Sequence, residues 1–176
     1  VVVLSGALIV EEILHQAERL EKEYNWLGAL ELYRTAMTMV PQQNVLKMGE
    51  VHELIGYGFF RAACQADSVE VFKKHMRMSV ESYDKAAELF ENVESARCLY
   101  CKALARYSDY WFVEAASEKK ELLDECRRLL KEALDDFNAS GDHVGYGRAF
   151  RYLAFCLWDR IPFADDWHEN TRIVKE

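Results

Sequence analysis

The sequence predicts an all-α fold, and three observations carry that expectation. Two prolines and eight glycines in 176 residues leave long stretches free to be helical. Valine, isoleucine and threonine nowhere alternate as they would in a half-buried strand. Small, aromatic and small residues recur at helical spacing, first as Trp26-x2-Ala29-x3-Tyr33-x2-Ala36-x4-Pro41. Ala29 and Ala36 share one face and let a neighbouring helix approach closely, while Tyr33 fills the groove between them. Pro41 ends the element.

Each element follows in order. The stripe Ile13, Ala17 and Leu20, widened by Leu14, predicts a first helix over about 5–24. Asn25 starts a second, which stops at Pro41, and Gln42-Gln43-Asn44 is a polar connection. A third covers about 46–66, with Gly56-Tyr57-Gly58-Phe59-Phe60 at its centre. Glycine costs ~1 kcal/mol inside a helix relative to alanine, so two of them imply close backbone contact with a neighbour. Asp67-x2-Glu70 reads as a capping box opening a fourth helix, about 68–91. It carries Ser79-x3-Tyr83-x2-Ala86-x3-Phe90, the same pattern again. A fifth spans about 94–112. A sixth, about 117–137, repeats the pattern loosely as Cys126-x3-Leu130-x2-Ala133-x3-Phe137. Ser140-Gly141-Asp142 is a turn, and a seventh helix runs over about 142–159, before Pro162. An eighth begins near Asp165-Asp166-Trp167-His168.

The Trp26–Pro41 motif resembles the tetratricopeptide repeat. The pattern returns at Ala36, Ala86 and Ala133, periods of 50 and 47 against 34 for an ordinary repeat, which fits longer helices. The spacing around Tyr83-x2-Ala86-Ala87-x2-Phe90 also looks similar to that of the soluble NSF attachment proteins, a long-helix variety. The resemblance implies a right-handed α-solenoid: three antiparallel helix hairpins and a seventh helix, in one domain over 1–176. The apolar opening Val1–Val10 and the start at valine read as the exposed end of a fragment of a larger protein.

Composition excludes several function classes. A net charge of −8 argues against nucleic acid and anionic membranes as partners. The densest basic cluster, Lys73-Lys74-His75-x-Arg77, has acidic neighbours on both sides and reads as a solvated face. The apolar opening is short and runs into Glu11-Glu12, unlike a signal peptide or membrane span. Five cysteines, an odd number among apolar neighbours, fit a reducing cytoplasm rather than a disulfide framework.

No motif demands chemistry. Cys98-x2-Cys101 lacks the second ligand pair that a structural zinc needs and the strand-to-helix setting of a redox site, so both read as buried core. His52-Glu53 begins like a zincin motif, but Gly56 stands where the second histidine belongs. Neighbouring carboxylates such as Asp135-Asp136 point to different helix faces and do not converge. Gly56-Tyr57-Gly58 and Gly145-Tyr146-Gly147 lie within helical periodicity and read as packing sites rather than phosphate loops. No metal or cofactor is expected, and the chain is expected not to be an enzyme.

In a tetratricopeptide-like stack the first helix of each pair lines a concave groove. With Ala17, Gly56, Cys101 and Gly147 taken as equivalent packing positions, the groove begins with Leu14, Glu18 and Glu21. Tyr57, Phe60 and Arg61 follow, then Lys102 and Arg106, then Arg148, Arg151 and Tyr152. The projected surface runs from acidic to aromatic to basic. Leu14 and Glu18 do not match the Lys/Asn pattern of a chaperone-binding carboxylate clamp. The expectation is a scaffolding module that holds a protein or peptide segment carrying acidic residues beside an aromatic or leucine. Two rivals are a small-molecule sensor or enzyme pocket near Tyr57, Phe60 and Tyr152, and a self-association module whose apolar ends stack between copies.

Overall fold

The computed structural model describes the backbone of residues 2–175 and the side chains of 7–175. The side chains of the apolar opening before Ala7 therefore lie outside the described residues. The chain is 84% helical, with no strand among the described residues. It divides into two compact units, 1–93 and 94–176.

The first unit holds α1 (Val2–Lys22), α2 (Trp26–Met39), α3 (Val45–Ala63) and α4 (Val69–Phe90), each packed on the next. Local chemistry fixes the boundaries. Asn25, Asn44 and Ser68 are N-caps whose side chains accept from the backbone N–H three residues on. The cap of α4 is thus Ser68, not Asp67 of the expected box: the serine takes the extended backbone and its hydroxyl accepts from Val71. Tyr24 closes α1 in the left-handed region at φ 59°, a position glycine usually fills.

The small–aromatic–small motif packs as its spacing requires. Ala29, Tyr33 and Ala36 are buried, and Tyr33 donates its hydroxyl proton to Glu21 Oε1 at 2.7 Å, tying α2 to α1. Ser79, Tyr83 and Ala86 do the same work in α4, where the Ser79 hydroxyl donates to the carbonyl of Gly56 at 2.9 Å. The two glycines of α3 serve different neighbours. A Cβ on Gly56 would meet the Tyr83 ring at 2.9 Å, and one on Gly58 would meet Leu30 of α2 at 2.9 Å. Lys47, at the start of α3, reaches Glu11 of α1 at 2.8 Å and Glu50 at 2.6 Å. Burial works against its charge, but the two carboxylates outweigh that and hold the ammonium above its usual pKa.

The second unit holds α5 (Ser95–Tyr110), α6 (Ala116–Ser140), α7 (His143–Arg160), a 3₁₀ turn (Ile161–Phe163) and α8 (Trp167–Lys175). Helix α6 packs on both α5 and α7. It runs three residues beyond its expected end and stops at Gly141, φ 75°. The Gly141 and Asp142 amides return to the carbonyls of Asn138 and Phe137. Asp142 then caps α7 by accepting from Val144 and Gly145. Leu104, Leu123, Cys126, Leu130 and Ala133 form the centre of this core. Arg160, 3% exposed, donates to Asp124 Oδ1 at 3.0 Å and Glu169 Oε1 at 2.9 Å, joining α7 to α6 and α8. Cys98 and Cys101 are buried and form no disulfide, as their apolar setting implied.

Candidate interaction surfaces

The expected groove residues fall into two sets. Tyr57, Phe60 and Arg61 lie on α3 in the first unit; Lys102, Arg106, Arg148, Arg151 and Tyr152 lie on α5 and α7 in the second.

On α3, Tyr57 and Arg61 are brought together, and Trp26 of α2 joins them. The Arg61 guanidinium stands 4.9 Å from the Trp26 ring centroid and donates to the Tyr57 hydroxyl at 3.4 Å. The Trp26 and Tyr57 rings meet edge-on at 5.4 Å. The cation thus faces two rings, 4.9 Å from Trp26 and 5.9 Å from Tyr57, in a half-buried patch. Phe60 is half-buried one helical turn from it. Trp26 is 5% exposed and was not among the expected groove residues; its role as the first residue of the α2 motif concealed its contact with α3.

On α5, Lys102 and Arg106 are half-buried, and Arg106 spends its charge on Asp109 at 3.1 Å. On α7, Arg148 and Arg151 are exposed. Tyr152 is a core residue, 4% exposed, whose ring packs against Tyr100, Tyr107 and Phe155. The reason is the register of α7. The expected packing position is Gly147, yet nothing stands within 4 Å of where its Cβ would lie. The packed glycine is Gly145, whose Cβ position is 2.5 Å from the Phe137 ring. Two residues turn a helix by roughly 200°, which carries Tyr152 to the inside.

Behind Tyr152 lies a polar anchor. Tyr107 donates its hydroxyl proton to Asp159 Oδ2 at 2.6 Å. Burial first, then the bond to this carboxylate, pushes the phenol far above its usual pKa. Burial also raises the Asp159 carboxyl, although the Tyr107 bond pulls the other way. The bond, set within the ring cluster of Tyr107, Trp111 and Tyr152, ties α7 to α5.

The first unit also has a cleft of about 280 Å³ between α2, α3 and α4, with Arg34, Met37, His52, Phe59, Met78 and Glu81 on its walls. The Arg34 guanidinium lies 5.4 Å from the Phe59 centroid. Burial, with Lys85 adding to it, lowers the His52 pKa. The cleft is at the lower end of the ~300–1,000 Å³ of ligand pockets. A second hollow, about 470 Å³, is lined by residues of α8 alone and is one face of that helix.

No three His, Cys, Asp or Glu side chains among the described residues are grouped to hold a metal ion. Among the described residues, no helix is long and apolar enough to cross a membrane. The chain matches no protein-family model, and no curated protein matches it.

Among the described residues, α7 carries more exposed large apolar side chains than any other helix. Val144, Phe150, Phe155 and Trp158 are all exposed, Trp158 by 74%. The charged residues among its exposed positions are Arg148 and Arg151, in a chain whose net charge is −8. Sequence inspection could have found this face: α7 is apolar nearly all round, and its inner half accounts for only part of that.

Proposed function

We propose that the chain is a non-catalytic interaction module that binds an acidic segment of a partner protein. The outer face of α7 carries this reading, because it combines exposed aromatic rings with two arginines on an acidic protein. Aromatic and arginine side chains are the groups that dominate protein interfaces. The repeating small–aromatic–small motifs, which pack in both α2 and α4, support the further reading of the hairpins as a tetratricopeptide-like, right-handed stack. Five cysteines, none of them in a disulfide, fit work in a reducing compartment such as the cytoplasm.

The test is selection from a phage-displayed peptide library against the full chain. Sequences with Asp or Glu beside an aromatic or leucine are expected to dominate. Both arginines are exposed, so Arg148→Glu with Arg151→Glu should leave the fold intact and weaken the selected peptides by about tenfold or more. Enrichment of basic or uncharged peptides, or equal binding by the double variant, would overturn the proposal.

A further inference from the structure

Helix α3 shows how this chain seats helices. Its Gly-Tyr-Gly sequence offers two seats on nearly opposite sides: Gly56 takes Tyr83 of α4, and Gly58 takes Leu30 of α2. Helix α7 carries the same three residues at 145–147. Its first seat is filled by Phe137 of α6, while nothing lies within 4 Å of the second, at Gly147. From Gly147, the exposed residues Phe150, Arg151, Ala154 and Trp158 follow at i+3, i+4, i+7 and i+11. That spacing is a single straight track along the helix. Small residues at 147 and 154 let a second backbone come close, with Phe150 and Trp158 beside them. Arg148 and Arg151 project from the same edge of the track.

We infer that the outer face of α7 seats an amphipathic helix of a partner protein, with an aromatic or leucine over Gly147 and carboxylates facing Arg148 and Arg151. This deepens the proposed function and rests on it. Charge selects the occupant. A second α7 would bring two more arginines to the same face, whereas an acidic helix complements both. Helix α4 is the chain's own example of such an occupant. It presents Tyr83 between Ser79 and Ala86, and Asp84 and Glu91 lie seven apart along one edge of that stripe.

The probe is therefore a fluorescein-labelled synthetic peptide of residues 76–93, stapled as a helix on the side away from Tyr83. It is titrated with the full chain and read by anisotropy. The parent is expected to bind it. Gly147→Trp should fill the seat and weaken binding at least tenfold. The same change should not lower the thermal midpoint, because the added side chain enters open space on a helix that loses a glycine. A probe with Asp84→Lys and Glu91→Lys should bind at least tenfold more weakly, as should one with Tyr83→Ala. No binding by the parent overturns the inference, as does binding that Gly147→Trp leaves unchanged. If library peptides still depend on Arg148 and Arg151 while Gly147→Trp changes nothing, the acidic-segment reading stands and the helical seat on α7 fails. Concentration-dependent sedimentation of the parent that Gly147→Trp abolishes would make a second copy the occupant, and would equally overturn it.

Discussion

Gly56 and Gly147 occupy ordinary helical backbone in opposite surroundings. A methyl group on Gly56 would press on the ring of Tyr83, which is 1% exposed and cannot swing away. Gly56→Ala is therefore expected to cost about 1–3 kcal/mol by overpacking. Gly147→Ala should stabilise by about 0.5–1 kcal/mol, since it adds only helix propensity and meets no atom. Urea midpoints of the two variants should move in opposite directions. A Gly56→Ala variant as stable as the parent would show that α3 and α4 are not in the close contact described. The sequence marked both glycines as packing sites and was right for one. Composition shows that a helix tolerates a glycine, but only the neighbour decides whether the glycine is needed.

At the level of elements, the boundaries were legible because they are set locally. Asn25, Pro41 and the Ser140-Gly141-Asp142 turn act within four residues of themselves, and each ends or starts a helix where expected. Face assignment was less legible, because a slip of one residue rotates a helix by ~100°. On α7 the difference is two residues, Gly145 in place of Gly147, and it carries Tyr152 from the surface to the core. Two buried tyrosines hold pairs of helices through carboxylates: Tyr33 with Glu21 across α1 and α2, and Tyr107 with Asp159 across α5 and α7. Burial and then the carboxylate raise both phenols far above the ordinary value near pH 10. An unfolded tyrosine loses its proton there and a folded one keeps it. The stabilisation is therefore complete below pH 10 and is lost as pH rises above it, by about 1.4 kcal/mol per pH unit for each group. The variant Tyr33→Phe with Tyr107→Phe should be weaker than the parent at pH 8, where both bonds count. It should lose less between pH 9 and 11. Parallel loss in parent and variant would mean that other groups cause the alkaline fall.

Over the whole molecule, attraction and repulsion act at different ranges on an acidic partner. The net charge of −8 repels an acidic peptide, while Arg148 and Arg151 attract it at contact. Ionic strength decides which dominates. At ~0.01 M the screening length is ~30 Å, and most of the chain's excess negative charge is felt by an approaching peptide. At ~0.15 M it falls to ~8 Å, so distant carboxylates drop out while the arginines still act over a few ångströms. Toward ~1 M it reaches ~3 Å, and the contact pairs weaken as well. The affinity for an acidic, apolar peptide should therefore pass through a maximum at intermediate salt rather than fall steadily. With Arg148→Glu and Arg151→Glu the local attraction is gone, and binding should rise with salt across the whole range as repulsion is screened and the apolar contact persists. Anisotropy titrations from 0.01 to 1 M sodium chloride measure both curves. A parent curve that rises throughout, like that of the charge-reversed variant, would remove the arginines from the interface and leave only apolar contact. A steady fall from the lowest salt would show that the remaining carboxylates lie too far from the binding face to matter.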